Sequence, residues 1–149
     1  VFNRVLAQRV RNASWNVAQV GDVLAFSGSR SYFLAGVDEC DDPRLAQLDV
    51  HPTGPLWGDG ELVSQGQTRA DEQAVAASWP ELCSWLVRAK LEQERRILRL
   101  PVQDLRWTFV TPECLQVQFV LPPGCFATVV LRELVELLSV TEAVQACEF

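Results

Sequence analysis

The hydrophobic period changes at Pro101, and this change limits the possible folds more than any other feature of the chain. After it, residues 105–110 (LRWTFV) and 115–120 (LQVQFV) alternate apolar and other side chains, with Thr-Pro-Glu-Cys between them. An alternation of period two is typical of a strand with one buried face. We therefore predict an antiparallel hairpin whose Leu, Trp and Phe side chains are buried.

The residues before Pro101 show helical and strand patterns in turn. We predict helices at 2–12, 43–48, 68–78 and 80–97, and a strand hairpin at 23–26 and 32–35. Asp42 is the expected N-cap of the helix at 43–48, and Thr68 is the expected cap of the next one. Arg88, Glu92 and Arg96 are spaced as an i,i+4 ladder on the last predicted helix.

Two further segments complete the predicted organisation. The segment HPTGPLWGDGE (51–61) holds two prolines and three glycines, which predicts a turn-rich loop that crosses a surface or carries a site. The segment LPPGCFATVVLRELVELL (121–138) predicts a turn followed by a helix from Phe126 to Leu138. The expected fold class is α+β, with mixed helices and antiparallel hairpins, and residues 98–102 mark a candidate domain boundary.

Composition argues against several classes of function. The five cysteines are widely spaced without a CxxC pair, which indicates a reducing cytoplasm rather than disulfides or a zinc ribbon. His51 is the only histidine, and no G-x-S-x-G elbow, metal-ligand cluster or phosphate-binding glycine motif occurs. No apolar run approaches the roughly 18 residues that span a bilayer, so no membrane partner is expected. The absence of methionine favours a fragment or a processed form.

The charges are unevenly placed along the chain. Taken over the whole chain, a net charge of −6 argues against binding to nucleic acid. Six of the thirteen basic residues nevertheless fall in one segment: Arg88, Lys90, Arg95, Arg96, Arg99 and Arg106. This segment is either a solvated face or part of a binding site. In the last predicted helix Thr128, Arg132 and Glu136 share one stripe, so Arg132 either pairs at the surface or lines a site.

Four motifs give the chain a family resemblance. The segments FNRVLAQR, GDVLAFSGSRSYFLA, HPTGPLWG and LPPGCFATVVLREL follow one another over about residues 2–138. Together they resemble the TruD family of tRNA pseudouridine-13 synthases. The resemblance implies an isomerase that converts uridine-13 of tRNA to pseudouridine without cofactor or metal. It also implies a TruD-type insertion domain at about residues 1–97, joined to the C-terminal segment of the catalytic domain at 98–149.

The resemblance also implies roles for particular residues. The catalytic aspartate of the family belongs to a G-x-K-D-type motif that these 149 residues do not contain, so the chain alone is expected to be inactive. Phe126, Thr128 and Arg132 are expected to form one wall of the active site, with Arg132 facing either the missing aspartate or a phosphate. Cys125 replaces the usual serine of the family.

The tRNA partner implied by the family is expected to lie in a cleft between the two domains. The RNA-binding candidates are Arg88, Arg95, Arg96 and Arg99 of the basic segment, with His51 and Thr53 of the proline-rich loop. The protein is expected to be a cytoplasmic monomer. Two alternatives stay open at this point: a non-catalytic RNA-binding module, and a protein-interaction domain of the kind that the acidic net charge suggests.

Overall fold

The structure, a computed structural model, describes residues 1–136 and divides the chain into two units, Val1–Arg99 and Leu100–Phe149. The first unit contains α1 (Phe2–Arg11), β1 (Val23–Phe26), β2 (Tyr32–Leu34), a 3-10 turn (Asp38–Asp41), α2 (Pro43–Ala46), β3 (Val50–Leu56), α3 (Gly66–Ala77), α4 (Pro80–Arg88) and β4 (Glu94–Ile97). The described part of the second contains β5 (Gln103–Thr111), β6 (Cys114–Val120) and α5 (Ala127–Leu134). This mixture confirms the α+β class. The assignment of the units to an insertion domain and a catalytic domain stays a prediction.

A four-stranded antiparallel sheet forms the centre of the first unit. Its strand order is β2-β1-β3-β4, and the predicted hairpin of β1 and β2 is confirmed with Leu24 opposite Phe33. The core of the unit combines Leu24 and Val50 from the sheet with small and aliphatic side chains from the connections around them. The two inner strands thus contribute Val23, Leu24 and Val50, the apolar side chains that are 0% exposed.

Two short helices follow the sequence pattern closely. Helix α1 buries Val5 and Arg9, which are four residues apart and therefore share one helical face. At α2 the Asp42 carboxylate accepts the backbone N–H of Arg44 at 2.9 Å, so the predicted N-cap is confirmed. Helix α2 ends at Ala46 rather than at residue 48, and Leu48 adopts a φ of +61° just after it.

The irregular loop predicted at 51–61 is wrong for its first half, because residues 51–56 belong to β3, a buried central strand. Strand β1 pairs with residues 50–52 and β4 pairs with residues 53–56, so β3 changes partner in its middle. A proline lacks the N–H donor but keeps its carbonyl acceptor. The Pro52 carbonyl accepts the N–H of Leu98 at 2.9 Å. Pro55 lies beyond the segment that pairs with β1, where a missing donor breaks no bond to that strand.

The helix predicted at 80–97 is also wrong beyond Arg88. Helix α4 ends there, and Lys90 turns the chain with a φ of +56°. Residues 94–97 then form β4 against β3. Helix propensity is a weak preference that tertiary pairing overrides. Arg88 and Arg96 consequently lie on different elements, and the predicted ladder with Glu92 is not formed.

Thr68 is not the cap of α3, as the sequence predicted. The helix begins two residues earlier, at Gly66, and its N-cap is Gln65. Thr68 is buried in the first turn, where its hydroxyl donates to Oδ1 of Asp22 at 2.8 Å. A threonine chosen by sequence for capping therefore serves a tertiary hydrogen bond.

In the second unit the predicted hairpin is confirmed, whereas its buried face is not. Strands β5 and β6 pair antiparallel with Trp107 opposite Val117. Leu105, Trp107 and Phe109 share one face, yet they are 47%, 66% and 59% exposed. The Trp107 and Phe109 rings meet edge to face at 6.1 Å. The alternation thus identified the residues of one face, and within residues 100–136 that face is left open.

Replacing Gly21 with alanine is expected to destabilise the first unit by about 3 kcal/mol. Gly21 has a φ of +90°, and a Cβ there would lie 2.3 Å from the Gln65 carbonyl oxygen. The contact is fixed because the Gln65 N–H donates to the Gly21 carbonyl at 2.9 Å. Urea unfolding followed by circular dichroism measures the loss.

The matched control is Gly28→Ala, in a position with a φ of +68° and no atom within 4 Å of the added Cβ. Only the backbone cost applies to this control, which is about 1 kcal/mol. Equal decreases in the free energy of unfolding of the two variants would show that the contact with Gln65 does not contribute to the destabilisation.

Candidate functional site

Thr53 and Arg95, two of the RNA-binding candidates, lie in one buried polar cluster. Arg95 donates from Nη1 and Nη2 to the two carboxylate oxygens of Glu72 at 3.0 and 2.9 Å. Its Nε donates to Oγ1 of Thr53 at 3.0 Å, and Nη2 also donates to the Thr53 carbonyl at 2.8 Å. The Thr53 hydroxyl in turn donates to the carbonyl of Val23 at 2.6 Å. The cluster therefore connects β1, β3 and β4 to α3.

The cluster is closed to solvent and fully hydrogen-bonded at its carboxylate. The side chains of Arg95 and Glu72 are only 5% and 1% exposed. Ser64 donates its hydroxyl to Oε2 of Glu72 at 2.5 Å, which gives the carboxylate a third donor. A bidentate arginine with such support gives both oxygens of a buried carboxylate hydrogen-bond partners. In this structure the arginine's donors are used inside the protein.

His51 and Arg99 form a second buried contact on the same strand. The Nε of Arg99 donates to Nδ1 of His51 at 3.3 Å, while Nη2 donates to the Val50 carbonyl at 2.5 Å. Nη1 donates to the carbonyl of Asn16 at 3.4 Å. Burial, followed by the Arg99 charge, lowers the pKa of His51, and the carboxylate of Asp49 opposes this shift. Burial also lowers the pKa of Arg99. His51 is therefore a neutral acceptor.

Arg88 and Arg96, the other two arginines among the RNA-binding candidates, face solvent. Arg88 lies in the last turn of α4, where its Nε donates to the carbonyl of Ser84 at 3.4 Å. Arg96 lies on β4 next to the buried Arg95, with its guanidinium 5.7 Å from the centre of the Phe2 ring. The four arginine candidates thus divide into two with exposed side chains, Arg88 and Arg96, and two with buried side chains, Arg95 and Arg99.

The three predicted wall residues lie on or next to α5, with Phe126 at its start and Arg132 in its last turn. Phe126 is the N-cap, with an extended backbone and a side chain that is 71% exposed. Thr128 and Arg132 are exposed and one helical turn apart, while Val130 is buried. The helix ends at Leu134 and Val135 is extended, so Glu136 does not continue the predicted stripe. Residues 137 and 138, included in the predicted helix, lie outside the described residues.

Side chains that bind metal ions do not cluster in the described part of the chain. In residues 1–136 no group of three or more His, Cys, Asp or Glu side chains could hold a metal ion. Cys40, Cys83, Cys114 and Cys125 are free thiols. Among the helices of the same region, none combines the length and apolarity needed to cross a membrane.

Sequence reasoning missed a second buried ion pair. Arg9 of α1 donates to both carboxylate oxygens of Asp22, at 2.9 and 2.7 Å, and Nε donates to the Ser14 carbonyl at 3.0 Å. Asp22 also accepts the hydroxyl of Thr68. The spacing in the sequence could have indicated this pair, because Arg9 follows Val5 by four residues and therefore lies on the buried face of the helix.

Comparison with known proteins identifies the family. A family model described as tRNA pseudouridine synthase D (TruD) matches residues 1–134. The chain belongs to the TruD family. Proteins named tRNA pseudouridine synthase D from Ectopseudomonas mendocina (strain ymp) and from Pseudomonas syringae pv. tomato are each 58% identical to it over 149 residues. The match covers all of this TruD chain and 42% of each relative.

A solved structure supports the TruD fold. The putative tRNA pseudouridine synthase D from Methanosarcina mazei matches with a TM-score of 0.69 at 21% identity. The alignment covers 89% of the TruD chain described above and 35% of that protein. At this identity the likeness concerns the fold alone. The chain thus spans less than half the length of the curated relatives and of the solved structure that it matches.

The Arg95–Glu72 pair is expected to dominate the stability of the first unit of the TruD chain. Arg95→Met leaves the Glu72 carboxylate buried without its charge partner, so we expect a loss of about 3–5 kcal/mol in urea unfolding. Arg96→Met is the control, since Arg96 is the exposed neighbour of Arg95 on β4 and its contact with Phe2 is worth about 0.5–1 kcal/mol. A double variant, Arg95→Met with Glu72→Leu, should recover part of the loss because it removes the stranded charge. A loss for Arg95→Met no larger than the control would refute this role.

Acidification is expected to destabilise the TruD chain through His51. Its pKa in the folded state lies below the ordinary value of 6.5, so the unfolded state binds the proton more readily. The stability that neutral His51 provides is complete above pH 6.5 and is lost as pH falls from there through the lower folded pKa. Protonation also removes the acceptor of the Arg99 Nε–H.

The measurement is the free energy of unfolding as a function of pH for the wild type and His51→Gln. The carboxylates contribute equally to both proteins, so the difference between the two curves isolates the histidine. We expect that difference to decrease as pH falls from 7 to 5. Parallel curves over this interval would contradict the buried neutral histidine.

Proposed function

We propose that this chain is a portion of a tRNA pseudouridine synthase that isomerises uridine-13 of tRNA to pseudouridine. The observation that carries the proposal is the family match over residues 1–134, together with 58% identity to relatives named tRNA pseudouridine synthase D. The reaction breaks the bond between the ribose and N1 of uracil, turns the base, and joins it again through C5. The proton on C5 is released and N1 gains one, so the reaction requires no oxidant and no cofactor.

The catalytic carboxylate is expected to belong to another part of the larger protein of which this chain is a portion. No aspartate in this chain lies in a G-x-K-D-type segment, and the chain spans 42% of the relatives' length. The fragment alone is therefore proposed to be inactive. The complete enzyme acts in the cytoplasm, where its tRNA substrate is found, and needs no metal.

Helix α5 supplies the proposed wall of the active site. Phe126 offers an exposed aromatic ring at the helix start, and Arg132 projects from the same exposed side as Thr128. Stacking of a base on an aromatic ring contributes about 1–3 kcal/mol and tolerates any base. A guanidinium next to a catalytic carboxylate keeps it ionised at neutral pH. We assign stacking to Phe126 and this charge pairing to Arg132.

The RNA-binding candidates divide into two roles on the basis of their exposure. Arg88 and Arg96 are exposed and are proposed to contact phosphates. The side chains of four candidates are buried on or beside β3: His51, Thr53, Arg95 and Arg99. Arg95 and Arg99 donate to protein acceptors there, and His51 accepts from Arg99. We propose that these four residues act indirectly in RNA binding, by fixing the strands of the sheet that carry the exposed contact residues.

The decisive experiment uses a full-length TruD protein with this chain as its matching portion. Arg132→Ala is expected to reduce pseudouridine formation in tRNA by at least about 100-fold, because loss of one charged stabilising group in an active site has an effect of that order. Formation is measured by tritium release from [5-³H]uridine-labelled tRNA. Arg30→Ala is the control, since Arg30 is an exposed arginine of the β1–β2 turn and has no assigned role.

The result also separates the alternatives. Near-normal turnover in Arg132→Ala would show that this arginine has no role in the active site and belongs to the protein surface. A full-length protein that binds tRNA with salt-dependent affinity but forms no pseudouridine would support the non-catalytic RNA-binding module instead. That alternative is retained because Phe126 and Arg132 are exposed without a catalytic aspartate in the same chain.

A further inference from the structure

A cavity in the first unit lies between α1 and α3. Its volume is about 320 Å³, and its deeper wall includes Val5, Thr53 and Leu98, all of which are buried. This volume is at the lower end of the range of small-molecule pockets, about 300–1,000 Å³. None of the residues proposed to contact tRNA lines it. The cavity therefore needs an explanation of its own.

Two pairs of polar side chains face each other across the cavity. Gln8 and Asn12 are four residues apart at the end of α1, and Gln67 and Asp71 are four residues apart on α3. The spacing places each pair on one side of its helix. The Nε2 of Gln67 donates to Oδ1 of Asp71 at 2.8 Å, so this pair is preformed. Gln19 adds a further carboxamide to the lining.

The charges of the cavity do not suit an anion. Arg9 is the one cation among its lining residues, and its guanidinium makes five hydrogen bonds to protein acceptors. Glu72 is held by Arg95 and Ser64. The carboxylate of Asp71 has no cationic partner among the lining residues. A phosphate or carboxylate ligand would therefore meet a negative charge without a free positive one.

A rigid floor makes the lining suitable for recognition. The ion pairs Arg9–Asp22 and Arg95–Glu72 connect the floor to the sheet, and Thr68 ties α3 to Asp22. Pre-organised groups lose less conformational entropy when a ligand binds. The cavity thus combines a fixed floor, apolar surface from Val5 and Leu98, and several carboxamides. Among these carboxamides, Gln19 accepts a hydrogen bond from Arg9 and Gln67 donates one to Asp71.

We propose that this cavity binds a neutral adenine base. A carboxamide presents a donor and an acceptor side by side, which matches N7 and the N6 amine of adenine. Asp71 provides an additional acceptor for the exocyclic amine, and the aliphatic walls accommodate the flat faces of the ring. The base belongs either to a free nucleoside or to an unpaired adenosine of an RNA. The cavity is lined by residues of the first unit, and its occupation does not depend on catalysis.

The test uses the ¹⁵N-labelled 149-residue chain and two-dimensional NMR. Adenosine is expected to shift the amide signals of Gln8, Asn12, Gln67 and Asp71 in a saturable manner. Inosine, which replaces the N6 amine with a carbonyl, is expected to bind roughly fivefold more weakly because the carbonyl faces the Asp71 acceptor. Single-stranded oligoadenylate identifies the source: binding by both ligands indicates a base presented by RNA, and binding by adenosine alone indicates a free nucleoside.

The variants locate the binding. Gln8→Ala with Asn12→Ala is expected to weaken adenosine binding by roughly tenfold, and Gln67→Ala provides a second variant on the opposite helix. Gln73→Ala is the matched control, because Gln73 is exposed on α3 and does not line the cavity. Thermal unfolding confirms that each variant is folded.

Three outcomes would overturn the proposal. They are no adenosine-dependent shifts up to the solubility of the nucleoside, equal binding of inosine and adenosine, and a Gln73→Ala effect as large as that of the double variant. None of them bears on pseudouridine formation, which is measured in a different protein by a different assay. The two proposals therefore fail independently.

Discussion

The bidentate contact between Arg95 and Glu72 is the interaction on which the first unit depends. It connects β4 to α3, and through Thr53 it reaches β3 and the carbonyl of Val23 on β1. Two charges removed from water are stable only when each has a partner and the remaining donors and acceptors are satisfied. Ser64 and Thr53 meet that condition here. The same contact forms part of the cavity floor and fixes the strand that carries His51, so the sheet, the helix and the cavity share one set of polar bonds.

The sequence predicted the elements whose cause is local. Val5 and Arg9 define the buried face of α1, Asp42 caps α2, and the alternation around Trp107 specifies the second hairpin. It failed where the cause is tertiary. Strand β3 contains two prolines that local rules exclude from central strands, yet each proline lies where its missing donor is tolerated because β3 changes partner in its middle. Strand β4 lies in a helix-favouring segment, and only pairing with β3 determines its conformation.

The candidate site was proposed from motif resemblance, and the roles of its residues stay a prediction. Phe126 is the N-cap of α5 and Arg132 lies in the last turn of the same helix. The basic segment could not be interpreted from proximity in sequence. On a helix, Arg95 and Arg96 would lie 100° apart on neighbouring faces, but on a strand they point to opposite sides. The side chain of Arg95 is therefore buried while Arg96 is exposed. Because β4 was predicted as part of a helix, Arg95 was grouped with the exposed Arg96, although its side chain is buried against Glu72.

The buried ion pairs also bear on how an acidic chain would bind RNA under the proposed function. Arg9–Asp22 and Arg95–Glu72 are each neutral overall, so the net charge of −6 is carried by the other residues. Arg99 is buried as well, which leaves still fewer cations at the surface. Phosphate neutralisation over a wide area would then be weak, since it depends on the number of exposed lysines and arginines. Stacking on Phe126 and hydrogen bonds to bases do not depend on net charge in this way. Under the proposed function we therefore expect this chain to contribute to RNA recognition locally, through stacking and hydrogen bonds to bases, and the long-range attraction of tRNA to come from the rest of the protein.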